Sequence, residues 1–89
     1  MNLADSIAIV TGSSSGIGQS FAEQLLQKGA TVYGLSRSLK RMEVHKKQLG
    51  DVGADYIPVQ MDISDHDAIE HWVKQTFADA NYYPDILIN

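Results

Sequence analysis

The chain has 89 residues and a formal net charge of −4, from seven basic and eleven acidic side chains, which fits one small domain or part of a larger one. It contains no cysteine, which excludes a disulfide scaffold, a thiol nucleophile and a thiolate zinc site. No apolar run approaches the roughly 18 residues of a membrane span, and the N-terminus lacks the basic and apolar regions of a secretory signal. We therefore expect a cytoplasmic protein without membrane contacts.

Charge is unevenly distributed along the sequence. Residues 1–50 hold six bases against three acids, whereas residues 51–89 hold one base against eight acids. The bases of residues 37–47 form either a solvated helix face or a patch that meets an anionic ligand, and charge alone leaves both interpretations open. A pI near 5.1, with no basic stripe interleaved with aromatic residues, argues against a nucleic-acid partner.

The first elements in chain order are a strand, a turn and a helix. Residues 6–11 are apolar and rich in β-branched side chains, which is typical of a strand buried on both faces of a parallel sheet. A glycine- and serine-rich turn covers residues 12–18. Apolar residues then recur at helical spacing as far as Lys28, and Gly29 stands where a helix ends on a left-handed residue.

The middle of the chain repeats the strand–helix alternation. A second strand is predicted over residues 31–36, and a weaker, exposed helix over residues 39–49, in which His45 is expected to face solvent. Residues 56–61 predict a third strand. Pro58 within it indicates an edge position, because proline lacks the backbone donor of a ladder hydrogen bond.

The last helix and strand complete the pattern. Ser64 is predicted to cap a third helix, with Asp67 three residues later in a variant of the capping box. The buried stripe of this helix is expected to contain Ala68, Ile69, Trp72, Val73, Thr76 and Phe77. Residues 85–89 begin a fourth strand. The βαβαβαβ order predicts an α/β fold, a Rossmann-type doubly wound parallel sheet with strand order 3-2-1-4, in which the third strand is an edge.

The turn at residues 11–18 has the sequence Thr-Gly-Ser-Ser-Ser-Gly-Ile-Gly, and its place between a strand and a helix is the context that a dinucleotide-binding loop requires. Gly12 permits a tight exit from the strand. Gly16 lets backbone amides approach a pyrophosphate at the helix N-terminus, and Gly18 lets that helix pack close to the sheet. A turn of purely structural role is the alternative. No lysine follows the last glycine, which disfavours a nucleotide triphosphatase.

This loop resembles the cofactor loop of the short-chain dehydrogenase/reductase family, Thr-Gly-x-x-x-Gly-Ile-Gly. Residues 61–65 are similar to the family's acidic segment after its third strand, and residues 85–89 to the stretch leading into its Asn-Asn-Ala-Gly motif. The resemblance covers the whole chain. It implies that the Asp62 carboxylate accepts from the adenine amino group, that the Ile63 amide meets the adenine ring, and that Asn89 lies near the cofactor ribose. The loop residues it implies in cofactor binding are Gly12, Ser14, Ser15, Gly16, Ile17 and Gly18.

Cofactor choice depends on the end of the second strand. Rossmann domains that use NAD place an acid about 20 residues after the glycines, where it binds the ribose 2′-hydroxyl. Ser36 stands at that position here, and Arg37 follows it. A carboxylate would repel a 2′-phosphate, whereas a guanidinium can bind it through two hydrogen bonds. We therefore expect NADP(H) rather than NAD(H), with Arg37 as an ordinary surface residue the alternative.

Catalytic and metal-binding residues are not identifiable. The family's chemistry uses a tyrosine with a lysine four residues later, and no tyrosine of this chain has that partner. The resemblance places the catalytic groups beyond Asn89. His66 and His71 are five residues apart, so on a helix they point about 140° apart and cannot share a metal ion. Residues 65–67 are best interpreted as a solvated first helical turn.

The sequence thus predicts the dinucleotide-binding portion of an NADP(H)-dependent short-chain oxidoreductase, which transfers hydride between nicotinamide and a small carbonyl or alcohol substrate. We expect residues 1–89 to be the N-terminal portion of one Rossmann domain, truncated at the fourth strand and not catalytically competent alone. The complete protein is expected to be a homo-oligomer. The alternatives are a non-catalytic NAD(P)-binding module or sensor, and a methyltransferase-like nucleotide fold, against which Arg37 argues.

Overall fold

The computed structural model describes residues 6–12, 16–78 and 86–88. Four strands alternate with three α-helices, and one short 3₁₀ helix precedes the third strand. In chain order the elements are β1 (Ile7–Thr11), α1 (Gly16–Gln27), β2 (Thr31–Ser36), α2 (Leu39–Leu49), the 3₁₀ helix (Gly50–Asp55), β3 (Tyr56–Gln60), α3 (His66–Thr76) and β4 (Ile86–Ile88).

The strands form one parallel sheet in the order β3-β2-β1-β4. This is the order predicted from the crossover rule. Strand β1 lies in the middle, with Val10 opposite Gly34 of β2 and Ile88 of β4. Pro58 lies in the edge strand β3 and pairs with Gly34 of β2. Proline lacks a backbone N–H donor, and an edge strand tolerates this because it has a neighbouring strand on one side only. The proline and the strand order are therefore consistent with each other.

Side chains of β1 and β2 alternate between the two faces of the sheet, as the period of a strand requires. Ala8, Val10 and Val32 face helices α1 and α2, where Ala22 of α1 and Met42 of α2 are also fully buried. Burial of each larger side chain of this kind contributes about 1.5–3 kcal/mol. The hydrophobic periodicity of the sequence identified this core.

Helix α3 covers the opposite face. Ile9 and Leu35 of the sheet are buried there with Phe77, and Ile69, Trp72 and Val73 of α3 pack against them. Tyr33 meets Trp72 and Phe77 edge to face, with ring centroids 5.5 and 5.3 Å apart. Thr76 is exposed in the last position of α3, so its predicted place in the buried stripe is wrong.

The C-terminal end of α1 agrees with the sequence prediction, whereas the N-terminal end of α3 does not. Gly29 has φ 90°, as predicted for the residue that ends α1. Helix α3 is capped by Asp65, whose carboxylate accepts from the Ala68 amide at 3.0 Å. The predicted cap, Ser64, lies one residue too early, because its hydroxyl donates to Asp62 instead.

His45 corrects a third prediction, that its side chain faces solvent. It is 7% exposed and packs edge to face on Tyr56 with ring centroids 5.8 Å apart. Met42 and His45 are three residues apart, so both lie on the face of α2 that meets the sheet. The polar sequence around His45 suggested a solvent-facing side chain, but helical position decides its burial. Within the described part of the chain, no helix is both long and apolar enough to cross a membrane.

Candidate functional site at the carboxyl ends of the strands

The carboxyl ends of β1, β2 and β3 meet at one edge of the sheet, because the strands are parallel. The Gly12 amide donates to the Leu35 carbonyl at 2.9 Å, and the Met61 amide donates to the Ser36 carbonyl at 2.8 Å. These bonds extend the ladder past the strands and hold the three exits side by side. We call the residues that follow these strands, Gly12, Gly16–Gly18, Ser36–Arg37 and Asp62–Ile63, the carboxyl rim.

In the glycine-rich turn, the backbone conformation at position 12 requires a glycine. Gly12 has φ 67°, a conformation that costs other residues energy. A Cβ at Gly12 would lie 4.0 Å from Ile63 Cδ1, so the backbone and not the available space requires glycine there. The same distance shows that Gly12 and Ile63 lie together. Ser14 and Ser15, also predicted to bind cofactor, fall outside the described residues.

Gly16 begins helix α1 and leaves open space beside its backbone. Among the described residues, a Cβ there would meet no atom within 4 Å outside its chain neighbours and the backbone of its own helix, and Ile17 beside it is 77% exposed. The first turn of α1 has no acidic residue, so no side-chain charge within that turn neutralises the positive end of the helix dipole. This end of α1 therefore fits a diphosphate group. Gly18 is partly buried in the same turn.

Ser36 and Arg37 have different environments at the end of β2. Ser36 is 5% exposed, and its Oγ accepts from the Ser38 amide at 3.2 Å, so the hydroxyl shapes the turn into α2. The Arg37 side chain is 71% exposed. Its guanidinium donates to Asp62 Oδ1 from Nη2 at 2.9 Å and from Nε at 3.2 Å. The structure thus brings together two residues that the sequence assigned separately to the adenosine end of a cofactor.

Asp62 is held from a second side by Ser64. The Ser64 amide and hydroxyl both donate to Asp62 Oδ1, at 3.0 and 2.7 Å. The hydroxyl bond, the amide bond and then the bonds from Arg37 lower the pKa of Asp62 from 3.8 to about 2. The carboxylate is therefore charged at neutral pH. Sequence reasoning missed Ser64 as its partner, although a serine two residues after an aspartate is a typical local hydrogen-bonding pattern.

Other predicted features lie away from this rim or carry no site. Among residues 6–12, 16–78 and 86–88, no group of three His, Asp or Glu side chains is arranged to hold a metal ion, and residues 65–67 are exposed as expected. Asn89 falls outside the described residues. Tyr56 is fully buried and Tyr33 packs in the aromatic cluster, so neither is assigned a catalytic role.

A surface depression of about 390 Å³ lies at the opposite edge of the sheet, between the end of α2 and the 3₁₀ helix. Glu43, Lys46, Lys47, Gly50, Gly53 and Ala54 line it. In open α/β sheets, ligands bind outside the carboxyl ends of the strands, whereas this depression adjoins the start of β3. Its position therefore gives it no part in the candidate site.

Comparisons with known proteins show the family to which the chain belongs. A family model described as short chain dehydrogenase matches residues 6–89. A 3-oxoacyl-(acyl-carrier-protein) reductase of Haemophilus influenzae is 40% identical over 86 residues, covering 93% of this chain and 33% of the relative. The human dehydrogenase/reductase SDR family member 1 is 32% identical, covering 93% of this chain and 26% of that protein.

Solved structures show the same fold. A short chain dehydrogenase from Bacillus anthracis superposes with a TM-score of 0.78 at 27% identity, covering 100% of this chain and 36% of that one. A metagenomic short-chain oxidoreductase in complex with NADP superposes with a TM-score of 0.79 at 29% identity, covering 92% of this chain and 37% of that one. The chain spans about a third of the length of these relatives.

Proposed function

The chain belongs to the short-chain dehydrogenase family, and on that premise we propose that it forms the dinucleotide-binding portion of an NADP(H)-dependent oxidoreductase. The reaction of the complete polypeptide is hydride transfer between the nicotinamide and a small carbonyl or alcohol substrate. Support comes from the relatives, which are named as reductases and dehydrogenases. The nicotinamide, when bound, would donate or accept the hydride. The described residues bind and orient the adenosine and diphosphate parts.

Two parts of the carboxyl rim are proposed to bind different parts of the cofactor. The first turn of α1, with the open space at Gly16, is proposed to receive the diphosphate on backbone amides. Asp62 and Ile63 are proposed to hold the adenine. Asp62 Oδ1 already accepts from Arg37 and Ser64, which leaves Oδ2 for the adenine amino group. Ser14, Ser15 and Asn89 remain proposed contacts on the basis of the family resemblance.

The observation that carries the choice of NADP(H) is the exposed guanidinium of Arg37 directly after β2. An acid there would bind a ribose 2′-hydroxyl, whereas a guanidinium attracts a 2′-phosphate. The similar metagenomic oxidoreductase was solved with NADP, which supports the same choice. Basic side chains at Lys40 and Arg41 lie in the next helix, and both are exposed.

Equilibrium binding of NADPH and NADH to the complete polypeptide that carries this chain tests the proposal. We expect tighter binding of NADPH, and a loss of that preference by about tenfold or more in Arg37→Ala, because a charged hydrogen-bonding partner is removed. Lys47→Ala is the control, since it removes a positive charge from an exposed site in the last turn of α2, at the end of the helix away from Arg37. Equal affinities for the two cofactors, unchanged in Arg37→Ala, would refute the proposed NADP(H) dependence.

A further inference from the structure

The ion pair between Arg37 and Asp62 has a consequence for cofactor selection. Arg37 Nε and Nη2 both point at Asp62 Oδ1, at 3.2 and 2.9 Å. That side edge of the guanidinium is one of the two edges with which arginine grips an oxyanion. A carboxylate therefore already occupies part of the group proposed to bind the 2′-phosphate.

The two partners are not equally constrained. Asp62 Oδ1 is fixed by the amide and the hydroxyl of Ser64 at 3.0 and 2.7 Å, both from the adjoining turn of the backbone. The Arg37 side chain is 71% exposed, against 52% for Asp62, and both hydrogen bonds that its guanidinium donates to the described residues go to this one oxygen. Arg37 is therefore the member that can change partner, while Asp62 stays in place.

We propose that Asp62, anchored by Ser64, is an internal competitor for the 2′-phosphate and limits how strongly the rim prefers NADP(H) to NAD(H). This inference rests on the proposed function, since it assigns a second role within the same site. A ligand without a 2′-phosphate leaves the ion pair intact. A ligand with one must share Arg37 with the carboxylate, whose negative charge also repels the phosphate across the guanidinium.

The competition has a limited size because both side chains are exposed. Exposed ion pairs of this kind are weak in water and are screened by salt. Removal of the Asp62 charge should therefore raise the selectivity for a 2′-phosphate by about two- to fivefold at low ionic strength. The gain should shrink as salt is added.

Two adenosine ligands isolate this effect from the rest of the cofactor. Adenosine 2′,5′-bisphosphate and adenosine 5′-monophosphate differ only at the 2′-position. The ratio to measure is the dissociation constant of the monophosphate divided by that of the bisphosphate. Any change in the adenine contact of Asp62 affects both constants and cancels in this ratio. We expect Asp62→Asn, measured in the complete polypeptide, to shift this ratio toward the bisphosphate. Asp67→Asn is the matched control, because it removes an exposed acid from the first turn of α3 and should leave the ratio unchanged.

A second pair of variants decides between the possible outcomes. In an Arg37→Ala background, Asp62→Asn should shift the ratio less than in the wild type, because the competition for the guanidinium is gone and only the direct repulsion between the carboxylate and the phosphate remains. A ratio that falls or stays constant in Asp62→Asn, while Arg37→Ala still lowers it, would overturn the competition and leave the proposed function standing. A ratio that Arg37→Ala does not change, or failure to bind either ligand, would overturn both.

Discussion

The amino edge and the carboxyl edge of the sheet differ in how closely the chain packs around their glycines. At the amino edge, Ala30 and Tyr56 are fully buried, and Lys46 Nζ donates to the Tyr56 carbonyl. A Cβ at Gly53 would lie 2.7 Å from the Lys46 carbonyl oxygen. At the carboxyl rim, a Cβ at Gly16 would meet no atom within 4 Å. The chain's own packing requires glycine at one edge, whereas at the other edge glycine leaves room for a ligand.

Gly53→Ala should give the largest loss of stability among the variants that test this contrast. Its added Cβ would be 2.7 Å from backbone that cannot rotate away, and overpacking of this kind costs about 1–3 kcal/mol. Urea unfolding of the complete polypeptide measures the loss. Dinucleotide affinity of the folded variant should stay at the wild-type value; a stability equal to wild type would show that the amino edge is not tightly built.

Gly16→Ala should have the opposite profile. Gly16 does not have a positive φ, so alanine should leave the unfolding free energy unchanged or raise it by up to about 1 kcal/mol. The methyl group would occupy the space proposed for a phosphate, which should weaken dinucleotide binding about tenfold. Titration with NADPH measures the affinity, and urea unfolding measures the free energy of unfolding. Unaltered affinity would remove the proposed diphosphate contact from this position.

Ser64→Ala should give the smallest effect, seen in the titration of Asp62. Loss of the hydroxyl donor removes the largest cause of the lowered pKa, so the pKa should rise from about 2 toward 3.8. Carbon-13 NMR of the carboxyl group measures it. A pKa that stays at about 2 in Ser64→Ala would contradict the role of the hydroxyl.

The same pKa fixes the direction of a pH effect. The folded state lowers the pKa of Asp62 from 3.8 to about 2. The charged Asp62 side chain therefore contributes its full stabilisation above pH 3.8, and this stabilisation is lost as the pH falls through about 2. The carboxylate of Asp62 should therefore stay charged across neutral pH, and its part in the competition at Arg37 should fade only in acid.

Much of the fold was predictable because its signals are local or topological. Strand and helix periodicity gave the alternation, the crossover rule gave the strand order, and Pro58 independently indicated the edge. Burial of His45 was not predictable, because a polar sequence context hides which face of α2 meets the sheet. The cap of α3 was misplaced by one residue because Asp62, a non-helical neighbour, takes the Ser64 hydroxyl.

The sequence indicated residues of the candidate site one by one but not how they are arranged. The glycine spacing and the family resemblance indicated Gly12, Arg37 and Asp62 separately. Their contacts depend on how the ends of β2 and β3 lie in register, which brings residues 25 positions apart within 2.9 Å. No pattern within one segment carries that information, so the ion pair required the folded chain.

Amide chemical shifts of the complete polypeptide during a titration with NADPH test the central claim most directly. The account predicts shifts confined to the carboxyl rim, with Gly12, Gly16, Arg37 and Ile63 affected, and no shift at Ala30 or Gly53 on the amino edge. Shifts centred on the amino edge, or an unperturbed rim at saturating NADPH, would contradict it.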